Sequence, residues 1–419
     1  TPLMKNDRPT FHNPLEVFDV YTQAMTQPVV QDPDGVKTQE LLLNMGPQHP
    51  STHGVFKAVV RTDGEIVLAT ESQLGFLHRC KEKIAENLSF IQFTPYTDRL
   101  DYLAAMCNNL GYSIAIEKLA GIEDEVSERA QYLRIITVEL QRIASHLLAA
   151  GTYGLDVGAI TPFLHTFRER ETLLGFFEEM CGQRLNYHYI CVSGVKRDYP
   201  PGLIGKISGF LDWLEKKIPE YHQLLSYNGI FIERTAGVGV ITREQCARFG
   251  LTGPVARGSG VDRDLRRDQP YAIYDRFEFD VITATGEHGQ IGDCWNRYMV
   301  RMREVEQSMR IVRQAIRDLP GGPDNPDKLK VCDERIARQS LTWKPKEAGE
   351  IYLAVENPRG ELGYYIIHDG KSAKPIRNKI RSPAFCNVSI LDHISPGAMM
   401  ADLVALIGSI DIVMGEVDR

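Results

Sequence analysis

The stretch MGPQHPSTHG, residues 45–54, places His49 and His53 four residues apart on a segment that Pro47 and Pro50 keep from being helical. Either the turn needs its prolines and the histidines fill surface, or a preorganised loop holds an imidazole out toward a ligand. Three further stretches carry chemistry-capable side chains. LGFLHRC (74–80) presents His78 and Arg79 in an apolar run, and PYTDRLDYLAAMCN (95–108) gathers Asp98, Arg99, Asp101 and Tyr102. YGLDVGAITPF (153–163) sets Asp156 among glycines. Taken singly each has an ordinary structural use: Asp98 as a helix-dipole partner, Asp156 as a loop cap, Arg79 as half of a salt bridge. Taken together, His, Tyr, Asp and Arg at element ends suit proton transfer to an organic ligand whose electrons come from elsewhere. Histidine titrates near neutral pH and a phenol is a hydrogen-bond donor, so both suit such a role.

Other chemistries lack their motifs. No GxGxxG follows a strand, and GxxxxGK[ST], GxSxG and HExxH are absent. The eight cysteines come no closer than ten residues (Cys181 and Cys191), so no CxxC exists to hold an iron–sulfur cluster or a zinc ion. Scattered thiols suit a reducing compartment. With 419 residues, 43% hydrophobic and 25% charged, the chain can bury a sizeable core. A net charge of -7 without a basic tail gives nucleic acid no footprint. No run of 18 apolar residues and no secretory leader is present, so neither a transmembrane helix nor secretion is expected.

The elements that must position these residues follow from periodicity. Residues 1–40 read as an extended arm. LLLNM (41–45), GVFKAVVR (54–61) and EIVLATE (65–71) read as strands, the last two joined through Thr62-Asp63-Gly64. Helices are expected over 81–92, over 101–121, from a Ser127 cap to about 151–154, and from a Thr161-Pro162 cap onward. Two more follow over 202–227 and 296–319. A loop-rich insert fills 319–349, strands return at 350–356 and 362–370, and Ser395-Pro396 is expected to open the last helix. The fold class expected is α+β, mainly helical: an N-terminal β unit (41–78), a helical core (79–319), and a C-terminal β unit with a terminal helix (350–419), all within one domain over 41–419.

NMGPQHPSTHGV, LGFLHRCKEKIAE, PYTDRLDY, RGSGVDRDLR, YDRFEFDV, GDCWNRYMVRMREVEQSMRI and the terminal GSIDIVMGEVDR closely resemble the 49-kDa, or D, subunit family of proton-pumping NADH:quinone oxidoreductase, respiratory complex I. The resemblance runs from about residue 40 to the last residue. It implies a fold like the large subunit of nickel–iron hydrogenases and a place in the peripheral arm, on the cytoplasmic face of a bacterial inner membrane. It implies a quinone pocket shared with a B-like subunit that holds the terminal [4Fe-4S] cluster. Further partners would be a C-like subunit, an I-like ferredoxin-type subunit and membrane H-like and A-like subunits, with FMN and NADH in distant subunits. The chain would bind no cofactor and be inactive alone. By motif, His53 and Tyr102 would bind the quinone, Asp156 would pair with the histidine, and Arg79 and Asn186 would lie near the partner's cluster. His49, Pro50 and Gly54 would support the loop.

Departures from the pattern matter too. Where the hydrogenases have two CxxC pairs, this chain has Asp101, Ala104, Val413 and Glu416. A nickel–iron enzyme is therefore disfavoured, and an inactive assembly scaffold is the other alternative. Cys80 stands where many relatives have glycine and is expected to be an inert core thiol. Many relatives carry histidine at the position of Asn186, whereas here the histidine is His188. If 186–188 is helical, His188 points elsewhere and cannot substitute, which leans toward a low-potential quinone.

Overall fold

A computed structural model of the chain describes residues 40–321 and 342–419, with the short segments 30–31 and 37–38 and residue 336. Most of the expected arm and most of the loop-rich insert lie outside the described residues. Three strands, β1 (Glu40–Met45), β2 (Lys57–Asp63) and β3 (Ile66–Gln73), form an antiparallel sheet with β2 in the centre. Ala58, Val60 and Thr62 alternate into the core along β2, the period a half-buried strand requires.

The helical region begins differently from expectation. The helix expected over 81–92 is two helices, α1 (Lys81–Ala85) and α2 (Phe90–Thr97). Ser89 restarts the chain with a capping box: its hydroxyl accepts from Gln92 N while the Gln92 side chain accepts from Ser89 N. The next helix, α3 (Ala105–Ala120), starts four residues later than expected, so Asp98 to Tyr102 lie in the turn between α2 and α3. Residues 105–117 of α3 are all buried, as suits a helix enclosed by packing on every side. Gly111 lets the C-terminal sheet approach it, since a Cβ there would lie 2.8 Å from Val355 and 3.2 Å from Tyr364.

The central helix α4 (Glu128–Asp156) is capped by Ser127, whose side chain accepts from Ala130 N. It runs through the GTYG stretch instead of ending there. Gly151 serves helix packing: a Cβ would fall 2.2 Å from Thr166 Oγ1 on α5 (Ile160–Cys181). Thr161 does not cap α5, because the N-cap is Ala159 and Pro162 sits within the first turn. α6 (Leu203–Tyr221) passes into a π-helical turn, His222–Ser226, and α7 (Cys294–Arg317) packs its apolar face on α4. Leu133, Ile136, Leu140, Ile143 and Leu147 of α4 are fully buried; truncating one to alanine would cost about 2–5 kcal/mol.

The second sheet has β4 (Ala348–Asn357), β5 (Gly360–Asp369) and β6 (Arg377–Arg381), with β5 central. The cap-plus-proline device is real but elsewhere. Ser382 caps α8 (Pro383–Val388), accepting from Phe385 N, whereas Ser395 lies at the end of the short helix Leu391–Ile394. The chain then forms α9 (Met400–Ile410) and α10 (Met414–Asp418). The architecture is a helical bundle with small antiparallel sheets toward both ends.

Candidate functional site

The proline loop is a short 3-10 turn, Pro50–Thr52. His49 is its N-cap: Nδ1 accepts from Ser51 N at 3.2 Å, and its carbonyl accepts from Thr52 Oγ1 at 2.8 Å. The His49 imidazole is thus engaged in holding the turn. His53 follows in the left-handed region (φ 48°), a strained conformation for a side chain other than glycine or asparagine. Gly46 is needed below the loop, since a Cβ there would lie 2.1 Å from Phe56 O.

His53 Nε2 meets Asp156 Oδ2, from the last residue of α4, at 2.6 Å. Their side chains are 14% and 7% exposed. Burial lowers the histidine pKa, but the bond and charge of Asp156 outweigh it, and the net shift is upward from 6.5. With Nε2 turned to the carboxylate, Nδ1 has no partner among the described residues and is free to meet a ligand. α9 closes on this pair: a Cβ at Gly408 would lie 2.5 Å from Asp156 Oδ2.

Tyr102 lies half-buried in the turn before α3, and its hydroxyl has no partner among the described residues. Burial raises its pKa, opposed by the Arg359 cation. That arginine, in the β4–β5 turn, is fully buried. Its Nη1 donates to Asp101 Oδ2 (2.7 Å), its Nη2 to Asp411 Oδ1 (3.1 Å) and its Nε to the Asp411 carbonyl (2.9 Å). Both Arg359 and Asp411 act electrostatically on His53 and on Tyr102. The two expected ligand-binding side chains therefore flank one buried charge cluster.

The C-terminal residues hold this arrangement. Lys81 Nζ donates to the carbonyls of Arg99 and of Gly415, the latter at 2.9 Å, tying the Tyr102 turn to α10. Burial, helped by repulsion from Arg79, brings the Lys81 pKa down to about 8. Asp418 accepts from Gly75 N (2.8 Å) and Leu77 N (2.7 Å), and its carbonyl meets His78 Nδ1 at 2.7 Å. These contacts place Arg79, which is exposed and makes no ion pair among the described residues. With Lys81, Ile84, Pro95, Tyr96 and Arg99 it lines a cavity of about 400 Å³.

Several expectations are corrected here. Cys80 is exposed, not a core thiol; it occupies the left-handed N-cap of α1 (φ 54°), with Sγ 3.5 Å from His78 Nε2. Asp98 follows the C-terminal end of α2 and so is no N-terminal dipole partner; burial pushes its pKa up to about 7. Residues 186–188 are not helical, and Asn186 and His188 both take positive φ (57° and 42°). The helix argument against His188 therefore fails. His188 instead packs by Asp98, whose Oδ1 accepts from His188 N at 3.3 Å, and by Lys196, whose Nζ lies 2.9 Å from His188 Nδ1. Burial and the nearby cations Lys196 and Arg99 bring its pKa down to about 4, so it stays neutral near pH 7. Asn186 Oδ1 is buried without a partner among the described residues.

Arg359, Asp411 and Lys81 escape a reading of the sequence alone. Arg359 is legible only as part of an Asn-Pro-Arg-Gly turn, and Asp411 only as one letter of the terminal motif. At the four positions where the resemblance would put hydrogenase ligands, Asp101 and Glu416 are carboxylates, and Ala104 and Val413 have no donor atom. No group of three His, Cys, Asp or Glu side chains among the described residues could hold a metal ion, and this donor set does not fit a nickel–iron centre.

Residues 156–419 match the family described as respiratory-chain NADH dehydrogenase, 49 Kd subunit. The chain is 47% identical over 382 residues to the D subunit of NADH-quinone oxidoreductase from Chlorobium luteolum, covering 91% of this chain and 94% of that one. The chain belongs to this 49-kDa (D) family. The corresponding D subunit from Chlorobaculum tepidum is 46% identical over 91% of this chain and 93% of its own length. The one from Bacillus cereus is likewise 46% identical, over 91% of this chain and 100% of its own. The proline loop, the Tyr102 turn and the terminal helix thus belong to a 49-kDa-family chain that its relatives match across nearly all of its length.

Proposed function

We propose that this chain is the quinone-site subunit in the peripheral arm of proton-pumping NADH:quinone oxidoreductase, acting as part of that multisubunit oxidoreductase. One observation supports the site assignment: His53 Nδ1 and the Tyr102 hydroxyl both lack partners among the described residues and flank one buried charge cluster. Reducing a quinone to a quinol takes two electrons and two protons, with negative charge growing on the carbonyl oxygens. The electrons would come from a [4Fe-4S] cluster held by a B-like partner, not by this chain. His53, kept protonated to higher pH by Asp156, donates through Nδ1 and stabilises the developing oxyanion. Tyr102 donates its hydroxyl proton and, having a raised pKa, must regain one promptly. Asp156 fixes which imidazole nitrogen faces the ligand. His49, Pro50 and Gly54 form the turn that presents His53. Arg79 and Asn186 face the cluster-bearing partner.

The remaining partners we propose are C-like, I-like, H-like and A-like subunits, with FMN and NADH bound far from this chain. No helix among the described residues is long and apolar enough to cross a membrane, which agrees with a peripheral position against a membrane arm. Tyr102→Phe in the assembled complex tests the reading against an inactive scaffold. Quinone reductase turnover should fall about 100-fold while subunit content stays normal; unchanged turnover would favour the scaffold.

A further inference from the structure

Asp101 and Glu416 are fully buried, and the same Asn357 amide lies 3.4 Å from an oxygen of each. That Nδ2 also points at Asn108 Oδ1 (3.3 Å), so two amide hydrogens serve three acceptors. Glu416 has no cation in direct contact among the described residues; its other oxygen accepts from Ala384 N at 3.3 Å. Arg359 is divided between Asp101 and Asp411. Ionising both buried carboxylates at once is costly, and one proton removes the repulsion and one carboxylate's desolvation cost.

We propose that Asp101 and Glu416 together store one exchangeable proton, and that this proton replaces the one Tyr102 gives to the quinone. The inference rests on the reading of Tyr102 as a proton donor. As the quinone O–H forms, the Tyr102 O–H breaks. As the phenol O–H forms again, the carboxyl O–H of the pair breaks. The pair is then doubly anionic beside Arg359 until water returns a proton.

Three observations support it. Tyr102 follows Asp101 directly, and α10, which carries Glu416, presses on its ring: a Cβ at Gly415 would lie 3.4 Å from Tyr102 Cδ1. The cluster is polar but incompletely paired: Asn357 Oδ1, Asp411 Oδ2, and Arg301 Nε and Nη2 are buried without hydrogen-bond partners among the described residues, the pattern of a site where water enters. Burial, then the Asp101 charge, pushes the Glu416 pKa up to about 8, against Arg359, so the proton is held at neutral pH and lost above it. The charged and titratable groups acting in this network are Asp101 and Tyr102 from the turn, Arg359 from β4–β5, Arg301 from α7, Asp411 before α10 and Lys81 from α1. Tyr364 of β5 and Cys386 of α8 also sense Glu416.

The test is Glu416→Gln in the assembled complex, with quinone reductase turnover measured from pH 6 to 9. Turnover at pH 7 should fall about ten-fold. The wild-type decline as pH rises through about 8 should disappear in the variant. Time-resolved infrared difference spectra of the wild type, started by quinone reduction, should show the transient loss of a buried carboxyl C=O band that the variant lacks. A variant profile parallel to wild type, lowered equally at every pH, would mark Glu416 as merely structural and overturn the proposal. Should the variant fail to assemble, the wild-type spectrum decides alone, and no lost carboxyl band overturns it. Fast turnover in Glu416→Gln with slow turnover in Tyr102→Phe would sink only the proton store. Fast turnover in Tyr102→Phe would sink the quinone reading itself.

Discussion

Two of the buried charge clusters among the described residues are built on opposite terms. Around α4 and α7, Glu139 accepts from Arg142 (3.2 Å), Arg266 (3.3 Å), Tyr274 and Ser308. Arg266 also pairs with Asp264 (2.7 Å), and Arg257 with Glu304 (2.8 Å) and Glu356 (2.7 Å). Burial alone would raise these carboxyl pKa values. The guanidinium groups overcome it for Glu139, Asp264 and Glu304, which are lowered, Glu304 to about 2; Glu356 is the exception. Around Tyr102, Asp101 and Glu416 are raised instead. The same ingredients, carboxylates and arginines out of water, give fixed charge where the carboxylate touches a guanidinium and a held proton where, as at Glu416, none among the described residues touches it. The first cluster is a strut; the second can change state.

The largest effect should come from breaking the strut. Arg266→Leu leaves Glu139 and Asp264 short of their cation, a loss of about 3–5 kcal/mol. Thermal inactivation of the complex should shift to lower temperature with little of this chain recovered; an unchanged midpoint would show that Arg142 and Arg257 suffice. Asp156→Asn should keep the fold and lower quinone turnover about ten-fold, since a charge-assisted bond becomes neutral. The sign with pH is fixed by the upward shift of His53. The pair's contribution is fully present below the ordinary histidine pKa and fades as pH rises through the folded one. Without Asp156 that fading moves to lower pH, so the variant should lose more activity at pH 8 than at pH 6. Equal loss at both would reduce Asp156 to a packing residue. Asn186→His should have the smallest effect. A histidine able to titrate there should raise the midpoint potential of the partner's cluster and give it a slope between about pH 6 and 8. A slope already present with Asn186 would implicate another group, though His188, neutral near pH 7, is a poor candidate.

The His53 side of the site is legible in the sequence because its signals are local. Prolines and glycines fix a loop whatever surrounds it, and the motif around Asp156 is contiguous. Strands 40–45, 57–63 and 66–73 show in their alternation, and α7 in its apolar stripe. The misreadings share a cause: glycines and Ser/Thr-Pro pairs look like ends and caps wherever they occur. Gly151 instead admits a crossing helix at close range, and Ser395 ends a turn of helix where Ser382 starts one. The Arg359 cluster joins residues from distant parts of the chain, and no window of sequence can display that. Family resemblance points to Tyr102 and His53, but nothing in it singles out Arg359 or Lys81.

The ties from Asp418 to the Gly75–His78 segment span some 340 residues of chain, 341 for the bond to Leu77. A ribosome has therefore made His53, Arg79 and Tyr102 long before it makes the residues that seat them. A nascent chain that stops short of Glu416 already carries His53 and Tyr102 but lacks the helix that packs against the Tyr102 turn. On the proposed function, the quinone site is complete only once the later residues have folded back onto the earlier ones.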